Sequence, residues 1–292
     1  MNGSAVATDD TRLQLTTGAL WQGGSVWWNA PISVQAFTTS FEFQLSVAQA
    51  NGFTFAVQNI GPKALGGDSA GLGYQNIQKS VAVKFNIYNY QNEGSNSTGV
   101  YTDGEPPLLP TVDITPSGIL LASGDVIEAQ ITYDGTKLTL NLHDTVTNDT
   151  FTMSKTIDIP SIVGANTAYV GFTGGTGGLS ASQKILTWTY ATHSTPPTFA
   201  PAAGTFAKAQ QVTLHSATAN AAIYYTINRT SPTAASTRYS GPIGVEESET
   251  VEAIAISPTV GSSSIERATY TIQTPASFLL SYTPAKAVDQ GG

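Results

Sequence analysis

The stretch that decides the fold runs from Asn51 to Gly99. It reads NGFTFAVQN (51–59), GPKALGGDSAGLGY (61–74), SVAVKFNIYNY (80–90) and QNEGSNSTG (91–99). Apolar residues alternate at Phe53, Phe55 and Val57, and again at Val81, Val83, Phe85 and Ile87, the period of two that marks half-buried strands. With Val83 and Phe85 turned inward, Ala82, Lys84, Asn86 and Tyr88 share the opposite face. The glycine-rich loop between the two strands reads as too polar for core. Face and loop together are expected to form an open, concave place suited to a polar ligand.

The same alternation extends outward in both directions. RLQLTT alternates from residue 12, and FTTSFEFQLSV puts Phe41, Phe43, Leu45 and Val47 on one face. Aromatic residues at that spacing read as packing rather than as a binding platform. Trp27 and Trp28 are adjacent, so one faces in and the other out, where it is a candidate ligand contact. Three prolines within EPPLLP (105–110) mark a loop, and the apolar ILL at 119–121 is expected to pair as a strand. IEAQITYDGTKLTLNLHD (127–144) is the clearest hairpin, because Asp134-Gly135 supplies the positive φ of a tight turn. TAYVGFTGG and KILTWTY close this region. No segment carries an apolar stripe at helical spacing with caps, so the fold class is all-β.

Composition narrows the function. Of 292 residues only 11% are charged, and the net charge is −8, which lacks the basic footprint nucleic acid requires. There is no cysteine, hence no disulfide framework and no thiolate chemistry. No run approaches the roughly 18 apolar residues of a membrane span. His143, His193 and His215 lack ligand spacing and read as surface or linker histidines. Glu246, Glu247, Glu249 and Glu252 read as a solvated face.

The ordered words G-F-T-F, A-L-G-G…G-L-G-Y, V-A-V-K-F-N-x-Y-N and GFTGGTGGLSASQKILTWTY (171–190) resemble the legume-type (L-type, concanavalin-A-like) lectins and their bacterial relatives. The resemblance covers residues 1 to about 190. It implies a jelly-roll sandwich of two large antiparallel sheets with carbohydrate bound by loops at one edge. The domain is set at 1–192, followed by a proline-containing linker at 193–200. Residues 201–272 carry PAAGTF, AAIYYT and YSGPI, which resemble the immunoglobulin-like module at the C-terminal side of chitobiase-type hexosaminidases. That module is a small β-sandwich expected to act as a spacer or accessory. Where such modules have an Asp-Gly turn, this chain has Asn228-Arg229. Residues 273–292 form a C-terminal tail whose apolar SFLLSY reads equally as a free strand, an edge addition or part of a truncated next segment; an exposed strand of this kind would be a place for chains to pair edge to edge.

Carried over residue by residue, the resemblance places carbohydrate-binding positions at Asn51, Gly67, Asp68, Ala70, Asn89, Tyr90, Gly175 and Thr176. Asn51 stands where the family has a carboxylate, so it can accept one hydrogen bond and donate another but lacks the charge. Asp68 either supplies that charge or is a solvated loop acid. The family's metal-binding V-x-Glu-x-Asp becomes Lys84 and Asn86 here. Lys84 would replace the transition metal as a fixed positive charge, with its ammonium on Glu93 or, failing that, on Asp103. Calcium wants six to eight oxygens, several of them carboxylates. Asn86, the Tyr88 carbonyl and Glu93 make at most a weakly bound calcium site. In the family the peptide before the sugar-binding acid is cis; with metal ligands replaced, Ala50–Asn51 is expected to be trans.

These readings converge on a non-catalytic, exported, carbohydrate-binding protein, extracellular or at the cell surface, with a leader upstream of these residues. Its expected partners are glycans or polysaccharide, with no nucleic acid and no membrane span. Glycosidases of the same jelly roll carry a Glu-x-Asp-x-x-Glu run, which is absent from this sequence. The alternative is a structural or adhesive protein that keeps the fold with a degenerate sugar and metal site and self-associates through strand edges or the tail.

Overall fold

The computed structural model describes residues 1–9 and 11–273. The SFLLSY reading and the self-association assigned to the tail lie outside the described residues. Residues 1–192 form two facing sheets. The first runs Asn2–Gly3, Gly23–Trp27, Thr167–Gly175, Gly52–Gln58, Ser80–Asn86, Ser97–Thr102, Val112–Asp113, with Ile32–Ser33 added on Thr167–Gly175. The second runs Thr150–Thr156, Lys137–Asp144, Ile127–Tyr133, Phe37–Ser46, Ser182–Thr192, Leu13–Thr17, Val6–Ala7. Every pairing in both is antiparallel. The Asp134-Gly135 hairpin is present, with Tyr133 opposite Leu138 and Gly135 at φ +108°. The sole α-helix among the described residues is Ile159–Val163, capped by Asp158 through the Ser161 amide. No helix among them is long and apolar enough to cross a membrane.

Alternation delivers the core between the sheets. Along Phe37–Ser46, Phe37, Phe41, Phe43 and Leu45 are buried while their neighbours are half-exposed. Phe41 meets Phe55, Phe85 and Phe172 across the gap, and Phe53 stacks on Phe85 at 4.6 Å. Each such ring removes some 150–250 Å² from water.

The outer face of the first sheet departs from expectation. Gly52–Gln58 and Ser80–Asn86 are buried on both faces. The 61–79 loop folds over them instead of standing open. Ala64, Tyr74 and Ile77 pack there on Trp27, Ala56, Ala82 and Tyr101. The loop can enter the interior because its polar groups find partners: the buried Tyr74 hydroxyl accepts from Ser80 Oγ and from the Gly104 amide. Burial pushes that phenol up to about 12. The ILL segment also differs. Ile119 and Leu121 are buried but unpaired as strand, because the Asn96 side chain donates to the Ile119 carbonyl and accepts from the Leu121 amide. A side-chain amide there does the work of a neighbouring strand.

Residues 198–272 form a second sandwich with its own core around Val212, Val245, Val251, Ala253 and Tyr270. One sheet is Thr198–Ala200, Gln210–His215, Ile243–Val245; the other is Gly204–Phe206, Glu266–Ile272, Glu249–Ser257, Ala222–Thr226, Thr237–Arg238. Thr198–Ala200, which the sequence reading places in the linker, is a strand paired with Gln210–His215. The preceding residues are also tied down: the Thr195 amide donates to Thr218 Oγ1, and Ser194 Oγ to the Gly261 carbonyl. Arg229 takes the positive φ (+62°) that glycine usually supplies, and Asn228 Oδ1 accepts from the Thr230 amide and hydroxyl. Of the four glutamates read as a solvated face, Glu246 and Glu247 are exposed. Glu252 is buried instead, because its strand register sets it against Arg267, whose Nε donates to it at 3.0 Å.

Candidate functional site

Four loops meet at one end of the first sheet. Asn51 enters directly before Gly52, whose φ of +143° and closeness to the Phe85 carbonyl leave no room for a side chain. Backbone bonds hold Asn51 from two sides: its amide donates to the Gly175 carbonyl at 3.2 Å, and its carbonyl accepts from Ile87 at 2.9 Å. The Ala50–Asn51 peptide is cis, which corrects the trans expectation. Bonds on both flanks define its setting, including Gln49 and Ala50 amides to the Ser180 carbonyl at 2.9 and 3.4 Å. Asn51 is 3% exposed, and its Oδ1 has no hydrogen-bond partner.

The 66–73 loop docks beside it. Ser69 donates its amide to the Thr176 carbonyl, and Thr173 Oγ1 donates to the Leu72 carbonyl at 2.8 Å. Gly177 sits where a Cβ would lie 3.5 Å from Asn51 Oδ1 and would press on Ser69 Oγ. Outside this junction opens a cavity of about 480 Å³, lined by Asp68, Ser69, Ala70, Gln75, Tyr90 and Gln91 among others. Tyr90 is 44% exposed.

Among the residues named from sequence, Asp68, Ala70 and Tyr90 therefore share one cavity, and Gly67 is half-exposed next to it. Asn89 is exposed, and its Oδ1 accepts from the Gly94 amide at 3.2 Å. Gly175 and Thr176 are buried rather than presented to solvent. The Gly175 carbonyl takes Asn51 and Gln183, while Thr176 Oγ1 takes the Gln22 amide and donates to Ala19. Tight packing of the GGTGG loop against Gly23–Trp27 and the 66–73 loop leaves Gly178 and Leu179 as its exposed residues. Trp28 is half-exposed but lines a separate groove with Ile32 and Trp188. The tryptophan near the site is Trp21, 66% exposed, with its amide on the Gly177 carbonyl and its ring against Gly178. Its signal in the sequence is a lone aromatic outside any alternating run, set before Gly23-Gly24.

Behind the cavity lies a buried ionic cluster. Lys84 Nζ, fully buried, donates to Glu93 Oε2 at 2.6 Å and to the Leu108 carbonyl at 3.0 Å, and lies 5.2 Å from the centre of the Tyr101 ring. Glu93, rather than Asp103, is the partner. Burial pulls the Lys84 ammonium below its ordinary pKa and pushes the Glu93 carboxyl above its own; the bond between them opposes both shifts. Burial, reinforced by the Glu93 charge, also raises Tyr101. Asn86 Nδ2 donates to the Tyr88 carbonyl and the Gly94 carbonyl, both at 2.8 Å, and to Ser97 Oγ at 3.3 Å.

Residues 1–203 match the family model of the legume lectin domain, which is more than half of the chain. The chain belongs to the legume lectin family. Residues 201–269 match the chitobiase/beta-hexosaminidase C-terminal domain. Solved structures of similar fold include the metal-free form of lectin I-B4 from Griffonia simplicifolia (24% identity, TM-score 0.56, 65% of this chain and 91% of that one). The lectin of Bauhinia forficata in complex with GalNAc is similar too (21%, 0.55, 65% and 90%). So is arcelin-5, a lectin-like defense protein from Phaseolus vulgaris (21%, 0.55, 65% and 90%). At these identities the likeness speaks for fold.

The lectin domain's residues do not fit the metals that its family implies. A dication needs oxygens free to face it. Here the Glu93 carboxylate is bonded to Lys84, the Tyr88 carbonyl to the Asn86 amide, and Asn89 Oδ1 to the Gly94 amide. The Asn86 side chain points nitrogen, not oxygen, at this cluster of acceptors. A cation at Asn86, Tyr88 and Glu93 would therefore meet an amide N–H already bonded to the Tyr88 carbonyl and an ammonium already bonded to Glu93 Oε2.

Proposed function

We propose that this lectin domain binds carbohydrate without transforming it, at the cavity bounded by Asp68, Ala70 and Tyr90. The observation that carries the reading is the unpartnered Oδ1 of Asn51, a buried acceptor behind Ser69, which lines the cavity. A buried acceptor left unpaired costs about 1–3 kcal/mol, a cost that a donating hydroxyl from a ligand removes. Asp68 and Gln91 add acceptors and donors at the rim, and the Tyr90 ring offers an apolar face for a sugar. Hydrolysis of a glycoside needs two carboxyl groups about 5–9.5 Å apart, and the cavity's lining includes a single acid, Asp68. The same reading places the protein outside the cell or at its surface, where glycans are displayed, with the second module as a spacer.

A glycan array that includes galactose- and GalNAc-terminated glycans tests this with the wild-type chain and Tyr90→Ala. Retention of a defined glycan class and a loss of about tenfold or more in the variant are expected. Absence of any retained glycan would favour the structural, self-associating reading, and a Tyr90→Ala variant of full affinity would move the site elsewhere.

A further inference from the structure

We propose that an ammonium and an amide built into this chain take the positions of divalent cations, so that the recess is organised without metal. The inference rests on the carbohydrate reading for its purpose, but its evidence is independent of any sugar. A bound dication holds loops by collecting oxygens from several segments. Lys84 and Asn86 do this with N–H groups. Lys84 Nζ gathers a carboxylate from the 88–94 turn (Glu93) and a carbonyl from the proline-rich loop (Leu108), under the ring of Tyr101 on Ser97–Thr102. Asn86 Nδ2 gathers the Tyr88 and Gly94 carbonyls from both ends of the same turn and a hydroxyl from the next strand (Ser97). Between them they fix the turn that carries Tyr90 and the loop that carries Leu108, both of which line the recess.

The register ties this cluster to Asn51. Asn86 pairs with Gly52 across the strands, and the Asn51 carbonyl accepts from Ile87. Charge balances internally as well: the ammonium is matched by the single carboxylate of Glu93, and a second cation would meet it as a like charge in a buried setting. The Glu and Asp of the family pattern and the Lys84 and Asn86 found here are thus two ways of closing the same loops. One needs a cation from solution and the other carries its own.

The test uses the full chain. Tryptophan fluorescence gives the melting temperature of the lectin domain in chelator and in added calcium and manganese, and elemental analysis gives bound metal. Wild type should hold substoichiometric metal and melt at the same temperature in every condition. Asn86→Asp sets a carboxylate against the Tyr88 and Gly94 carbonyls, so it should melt roughly 2–12 °C lower in chelator and recover in calcium. Stoichiometric tightly bound metal in wild type, a wild-type melting temperature that falls in chelator, or an Asn86→Asp variant indifferent to calcium would each overturn the proposal. These readouts involve no sugar. A chain that melts as expected but retains no glycan refutes the function and leaves the cation-free framework standing. Glycan retention that vanishes in chelator does the reverse.

Discussion

Replacing Glu93 by Gln keeps the side chain's length and one acceptor but removes the charge opposite Lys84. The lysine is fully buried, with Glu93 Oε2 at 2.6 Å and otherwise the Leu108 carbonyl and the Tyr101 ring for company. Removing one partner of a buried pair costs about 3–5 kcal/mol. The lysine itself sets a ceiling, because it can shed its proton. From an ordinary pKa near 10.4, neutralising it at pH 7 costs about 4.6 kcal/mol, and at pH 9 about 1.9 kcal/mol. The loss in Glu93→Gln should therefore be about 3–4.6 kcal/mol at pH 7 and no more than about 1.9 at pH 9.

The direction follows from linkage. In the variant the folded-state pKa of Lys84 lies below its unfolded value, so the folded state holds fewer protons. Relative stability is then regained as pH rises toward the unfolded pKa and lost as pH falls. All four tryptophans (Trp21, Trp27, Trp28 and Trp188) lie in the lectin domain. Urea unfolding followed by tryptophan fluorescence at pH 7 and pH 9, variant against wild type, therefore reads this domain without the second module. A deficit below about 1 kcal/mol at pH 7, or one of equal size at both pH values, would refute the buried-charge argument.

His143 Nδ1 lies 2.9 Å from Glu128 Oε2 on the exposed face of the second sheet, and that bond raises the imidazole above its usual 6.5. Its stabilising contribution should be complete below the unfolded pKa and disappear as pH rises through the higher folded value; an NMR titration in which Glu128→Gln leaves His143 unmoved would contradict this. At Gly66 a Cβ would lie 2.6 Å from the Tyr74 carbonyl carbon, a backbone atom that cannot rotate away. Gly66→Ala should cost about 1–3 kcal/mol and lower the melting temperature by some 2–12 °C, and an unchanged melt would show that the loop is not packed as described.

The contrast between Lys84 and Asn51 shows what a sequence makes legible. Lys84 sits within an alternating strand, so period two alone assigns its face, and an ammonium on a covered face needs an anion near at hand. Glu93 is nine residues away across one turn, and the pair follows from local reasoning. The two sheets, the 134–135 hairpin and the second sandwich are legible for the same reason, since each rests on alternation and turn residues close in sequence. What stayed hidden depends on partners far along the chain. The setting of Asn51 is fixed by the carbonyls of Gly175 and Ser180, and nothing near residue 51 announces them. The 61–79 loop looks like surface because it is polar and rich in glycine. It becomes core because Ser80 and Gly104 satisfy the Tyr74 hydroxyl, a pairing that exists only once the loop has closed. The ILL segment looks like a strand because it is apolar, yet Asn96 supplies its backbone bonds. Trp21 has no pattern around it at all, and only the docking of Gly177 and Gly178 brings it to the site. The proposed site is assembled from the non-local set: the orphaned acceptor of Asn51, the exposed rings of Tyr90 and Trp21, and the Ser69–Gly177 junction. The locally readable ion pair supplies the base that keeps Tyr90 and Leu108 in place beside them.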